Sequence, residues 1–195
     1  MNDEKRFMLF MAAHVLGYPS NQFDKETNAL EDLMIGDRLI HAELKKSYTP
    51  LLHLSAQERQ ELYVQTFDLK EKLGLYLTAH ELGDSNKRGA ALIKLQKMIN
   101  LDGFERVDGE LADYIPMLFE FLAVSPEENE RLYKRLAVAI QRILKHMEKD
   151  NPYHGVLDVL MKHVFPDPTT EEVEALEFNR EEADLEEMPY PIMYQ

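Results

Sequence analysis

Apolar positions along this chain recur at intervals of three and four, the period of a helix with one face turned to a core. Between 126 and 149 they fall at Leu132, Tyr133, Leu136, Ile140, Ile143, Leu144 and Met147. Between 86 and 100 they fall at Ala91, Leu92, Leu95, Met98 and Ile99, and between 69 and 82 at Leu73, Tyr76, Leu77 and His80. No segment shows the sustained period of two that a half-buried strand requires. The pattern predicts an all-α fold, a single-domain helical bundle over residues 1–166.

Punctuation agrees with the period. Ser55 with Glu58 reads as a capping box opening a helix, and Asp68 with Glu71 as a second. The run from Ser125 through Pro126 to Glu128 offers a cap, a proline at the first helical position and a carboxylate three residues on. Gly17 followed by Pro19 stops the first helix, Gly83 stops another, and Pro152 and Pro166 bracket a last short one. Joints therefore fall near 17–23, 35–37, 53–56, 83–86, 101–112 and 150–153. The longest, LDGFERVDGELA at 101–112, is a loop of the length that often carries function. In ELADYIPMLFEFLA at 110–123, Asp113 or a neighbour caps a strongly apolar helix, and Pro116 falls in its first turn. Tyr114, Met117, Phe119 and Phe121 cannot all face one core, which leaves an aromatic stripe suited to an amphipathic, basic helix laid in a groove.

The stretch LYLTAHELGDSNKRGAALIKL at 75–95 holds a small, polar, basic centre. Gly83 suits the left-handed closure of one helix, and Asp84, Ser85 or Asn86 can cap the next. This is a tight helix–helix joint. It lacks both the spacing and the preceding strand of a phosphate loop. Its second helix carries too few cations for a DNA-reading turn in a chain this acidic. Arg88, in a first turn where a cation opposes the helix dipole, calls for a carboxylate: Asp84, Asp113 or one from a ligand. Gly89 costs its helix about 1 kcal/mol relative to Ala, which predicts a close approach by another backbone.

Composition narrows the function classes. The 195 residues include no cysteine, which excludes disulfides, thiolate metal sites and thiol catalysis. A net charge of −14 opposes nucleic-acid binding and favours basic partners, or serves solubility alone. From Asp167 to Gln195 ten carboxylates face one arginine. That composition predicts a separate acidic tail, 167–195, either disordered or strapped onto the domain as a lid or decoy for a basic ligand. The opening MNDEKRFMLFMAAHVLG pairs basic residues with an apolar run, but Asp3, Glu4 and His14 and the want of a small-residue cleavage site argue against a signal peptide. No apolar run approaches the ~18 residues that span a bilayer. The chain reads as cytoplasmic, with no stable membrane insertion. Its seven histidines are scattered without metal-ligand spacing, and no nucleophile elbow or kinase signature occurs. Ten methionines fill a core or dress a surface that accepts varied apolar peptides.

Two stretches carry a resemblance. YVQTFDLKEKLGLYLTAHELGDSNKRGAALIKL at 63–95 resembles the central signature of the nitrate reductase molybdenum-cofactor assembly chaperones, the delta-subunit or NarJ type, within the all-helical TorD-like chaperones. ELADYIPMLFEFLA resembles their second signature, with Ala112 standing where the family usually has proline. The resemblance implies a non-enzymatic chaperone that retains no metal or cofactor. It implies a partner, the catalytic (alpha) subunit of a respiratory nitrate reductase, held by its N-terminal leader while molybdenum cofactor is inserted. On that basis a groove is expected between the 63–82 and 113–123 helices. Tyr63, Phe67, Tyr76, Tyr114, Met117 and Phe119 would supply its apolar contacts. Asp68, Asp84, Asp113 and Glu120 would supply negative charge, with His80 and Pro116 beside them and Arg88 holding the acidic joint in shape. The alternatives are a GTP- or cofactor-binding accessory protein and a generic helical interaction scaffold.

Overall fold

A computed structural model describes residues 1–33, 36–105, 109–126, 129–165 and 168–169. Among them lie nine α-helices and no strand. In chain order they are α1 (Asp3–Leu16), α2 (Phe23–Glu31), α3 (Arg38–Leu52), α4 (Ala56–Tyr63), α5 (Leu77–Leu82), α6 (Arg88–Leu101), α7 (Ile115–Val124), α8 (Glu130–His146) and α9 (His154–His163). The acidic segment 170–195, where a lid or strap is expected, lies outside the described residues, as do Asp167 and Pro166.

The centre is built by the two helices that are apolar on nearly every side. α1 buries Phe7, Met8, Leu9, Met11, Ala12, Ala13, Val15 and Leu16, and α7 buries seven of its ten residues. Helices this apolar must be wrapped by others over most of their surface. They pack mainly on each other, and α9 covers α1 while also meeting α3 and α8. α8 shows the one-sided stripe the spacing predicts: Leu132, Leu136, Ile140, Ile143 and Met147 are buried, and Tyr133 and Leu144 are half-buried. Arg59 is a buried cation within this shell. Its guanidinium forks onto Asp24 at 2.6 and 3.2 Å, donates to the Leu51 carbonyl and lies over the Phe23 ring.

The Ser55–Glu58 capping box forms in full. Two other start signals do not. Asp68 and Glu71 open no α-helix, because Val64–Asp68 forms a π turn and Glu71–Leu73 a single 3-10 turn. The helix expected through Tyr76 begins only at Leu77. Tyr76 is extended, and the Leu75 carbonyl and the Leu77 amide on either side of it bond to the chain ahead of α7. Ser125 ends α7 rather than opening α8: its amide donates to the Phe121 carbonyl and its hydroxyl to Asp102, while Asn129 caps α8 by accepting from the Leu132 amide. Gly89 meets no close backbone, since nothing lies within 4 Å of where its Cβ would stand.

Candidate functional site

The two signature stretches meet in one place. Residues 75–77 run antiparallel to 113–115: the Ile115 amide donates to the Leu75 carbonyl at 2.9 Å, and the Leu77 amide to the Asp113 carbonyl at 2.8 Å. Between these bonds Tyr76 faces Tyr114 as an isolated bridge. Asp113, wholly buried, turns its carboxylate back onto the start of α5. Oδ2 accepts from the Thr78 amide at 3.2 Å and from the Thr78 hydroxyl. Arg88 closes the knot, with Nε donating to the Thr78 hydroxyl at 3.0 Å and Nη2 lying 3.4 Å from Asp113 Oδ2. Asp113 thus caps α5 from across the fold and leaves α7 to start at Tyr114 with no side-chain cap. One carboxylate, one hydroxyl and one guanidinium join α5, α6 and the lead into α7. Of the partners open to Arg88, Asp113 is the one it takes.

Beside this knot the tyrosines form a polar seam. Tyr63 and Tyr114 share a hydroxyl–hydroxyl bond of 2.8 Å, and the Tyr76 hydroxyl donates to Glu110 at 3.1 Å. Burial pushes all three phenols up, Tyr76 and Tyr114 to about 12. They stay neutral across the physiological range and orient neighbours by hydrogen bonds rather than by charge.

The seam borders a cleft of about 540 Å³. α1 contributes Phe10, Ala13 and Gly17; the end of α6 and the chain after it contribute Ile99, Phe104, Glu105 and Glu110; α7 and its lead contribute Tyr114, Pro116, Met117, Glu120, Phe121 and Val124. The floor is apolar, and among the described lining residues the charged ones are three glutamates. Glu120 projects from α7 among these side chains. The residue is exposed to solvent, and the apolar side chains around it raise its carboxyl above the usual range. An apolar trough edged with carboxylates fits a ligand with one apolar and one cationic face.

Of the residues anticipated for a groove, Tyr114, Pro116, Met117 and Glu120 line this cleft. Tyr63 and Tyr76 stand behind it, tied to Tyr114 and Glu110. Phe119 is core: it is fully buried against Phe165, on the far side of α7 from Met117. Phe67 is core as well, packed edge-on against Tyr153 with ring centroids 4.8 Å apart. Asp113 lends no charge to a ligand, because it is sealed in the knot. Asp68 and Asp84 are exposed but line no part of the cleft. His80 is structural here: its Nε2 contacts the Gly74 carbonyl at 2.7 Å, its own carbonyl accepts from Arg142, and burial lowers its pKa. The second wall of this cleft comes from α1 and from Ile99, Phe104, Glu105 and Glu110, and no residue of 63–82 lines it. The length of the 101–112 joint was the sequence signal for that wall; nothing in the spacing singled out Phe10 and Ala13.

Among the described residues no three histidine or carboxylate side chains cluster as metal ligands. No described helix is long and apolar enough to cross a membrane.

Comparison with known proteins places this geometry in context. The family described as nitrate reductase delta subunit matches residues 23–150. A Bacillus subtilis protein named probable nitrate reductase molybdenum cofactor assembly chaperone NarJ is 30% identical over 166 residues, covering 83% of this chain and 90% of that protein. The Escherichia coli nitrate reductase molybdenum cofactor assembly chaperone NarJ is 26% identical over 54% of this chain and 45% of its own length. A Mycobacterium tuberculosis nitrate reductase-like protein NarX is 35% identical over 40% of this chain, a span that makes up 12% of that protein.

Proposed function

This chain belongs to the nitrate reductase delta subunit family, and from that premise we infer that it is a system-specific chaperone for the maturation of nitrate reductase. It assists molybdenum cofactor assembly without being an enzyme itself, in keeping with the relatives named as assembly chaperones. The finer reading is that the cleft between α1, α7 and the residues Ile99, Phe104, Glu105 and Glu110 receives the N-terminal leader of the catalytic subunit as an amphipathic, basic segment. The chaperone then holds the apo-subunit competent for cofactor insertion and leaves before the enzyme is complete.

The composition of the described lining carries this reading: Phe10, Ile99, Phe104, Met117 and Phe121 supply an apolar floor, and Glu105, Glu110 and Glu120 supply its negative charge. Burial of apolar area accounts for most of the affinity, while the carboxylates set orientation and the rate of encounter.

The test is titration calorimetry with a peptide of about 20–30 residues, long enough for a helix laid in the cleft, taken from the start of the cognate catalytic subunit. Its scramble is the control. Sequence-dependent binding is expected. Met117→Ala should weaken it about five- to tenfold, the loss of one central apolar anchor. Asp68→Ala, outside the cleft, should leave it unchanged. Equal affinity for the scramble, or equal loss from both variants, rules the reading out.

A further inference from the structure

α6 is the helix this function does not use in full. It packs chiefly against α5 and buries only Leu95 and Ile99. On the opposite side Gly89, Ile93, Lys94, Lys97 and Leu101 form one outward stripe, as their spacing of three and four requires. Ile93 and Leu101 are 47% and 87% exposed. From Ser85 to Leu101 the chain holds Lys87, Arg88, Lys94 and Lys97 and not one carboxylate, within a molecule of net charge −14. Gly89 adds a second peculiarity. It weakens an exposed helix, and its Cβ position opens on empty space, so no contact within the described fold accounts for it.

We propose that this stripe of α6 is the docking surface for the chain's own acidic segment, residues 170–195. Complementarity is twofold. The stripe is apolar and basic; the segment is apolar and acidic, with Val173, Leu176 and Phe178 interleaved among Glu171, Glu172, Glu174 and Glu177. Position agrees as well. The continuous described chain ends at Phe165 beside Tyr133, whose hydroxyl donates to the Val164 carbonyl and whose ring lies tilted against Phe165 with centroids 4.6 Å apart. One turn back along α8, the Asn129 side-chain amide touches Met98 of α6 at 2.8 Å. Twenty-six residues follow Thr169. Fully extended they reach ~85 Å, against a length of ~21 Å for α6. Docked there, the segment lies next to the cleft, because Ile99 on the inner side of the same helix belongs to the cleft floor.

The absence of native cysteine makes the test direct in the full chain. Spin labels on Asn100→Cys paired with Ala175→Cys, and with Ala183→Cys, report the separations by pulsed electron resonance. The expected result is a narrow distance distribution for both pairs. Lys94→Glu with Lys97→Glu should broaden it at least about twofold, toward the spread of an untethered chain. Leu101→Ser should broaden it without changing charge, and circular dichroism should show the helical content retained. A broad distribution in the parent chain overturns the proposal. So does a narrow one that ignores both changes, which would seat the segment elsewhere. Pair distances from singly labelled protein would assign the stripe to a second copy and also overturn it. None of these readouts involves the leader peptide, so failure here is distinct from failure of the cleft reading.

Discussion

At the scale of single residues, the Asp113 knot makes a sharp claim about stability. A buried carboxylate that caps α5 and meets Arg88 cannot be removed without stranding its partners. Asp113→Ala should cost about 3 kcal/mol in urea unfolding, the lower end for breaking a buried pair, because the Arg88 side chain keeps 28% exposure. The two glycines of the neighbouring joint should respond with opposite signs. Gly83 has φ of +56°, so Ala there is strained by about 1 kcal/mol or more. Gly89 is helical with open space around it, so Ala should stabilise by up to about 1 kcal/mol; thermal melts of the pair decide this. His14 and His80 both have lowered pKa values, chiefly from desolvation. Their folded forms bind a proton less readily than the unfolded chain. Their contribution to stability is therefore whole above the ordinary value of 6.5 and is lost as pH falls below it toward the folded values. Unfolding free energy should decline from pH 7 to 5, and His14→Gln should flatten part of that slope. Sequence alone left three partners open for Arg88. The choice of Asp113 depends on a contact across 25 positions that helical periodicity does not encode.

Among elements, the spacing located α8, α6 and the joints well, because each buries a stripe against neighbours on one side. It failed between 64 and 76, where a helical period in Leu73, Tyr76 and Leu77 is real but unused. The backbone of Leu75 and Leu77 is claimed by Ile115 and Asp113, and a tertiary ladder outranks a local turn when both compete for the same amides. The same cause sets the expected groove apart from the cleft. With 69–82 taken as one helix, it seemed available as a wall; as built, its tyrosines brace Tyr114 and Glu110 from behind, and α1 supplies the face. Glu120, by contrast, was legible as a carboxylate on an aromatic helix. Its raised pKa means that ionisation is penalised in the folded state, so its contribution is present at low pH and lost as pH rises through the folded value. Glu120→Gln should therefore raise the melting temperature at pH 7, with a smaller effect near pH 4. The same change should slow association of a basic peptide, and the slowing should shrink as salt is raised. A parallel gain in both properties would remove Glu120 from the site.

The whole molecule joins an acidic cleft to a helix whose outer stripe is basic, and both features depend on how its centre is assembled. That centre is a pair of helices, α1 and α7, separated by roughly a hundred residues of intervening chain. Order of synthesis then matters. At roughly 5–20 residues per second, α1 emerges from the ribosome about 5–20 s before α7 is available to cover it. Through that interval Phe7, Met8, Leu9 and Met11 have no native cover on their main face. Nascent chains arrested before residue 115 should stay protease-sensitive and bind an apolar dye; chains arrested late enough for Val124 to clear the exit tunnel should lose both properties. A protein that shields another's unfinished chain would itself be, for those seconds, an unfinished chain in need of shielding.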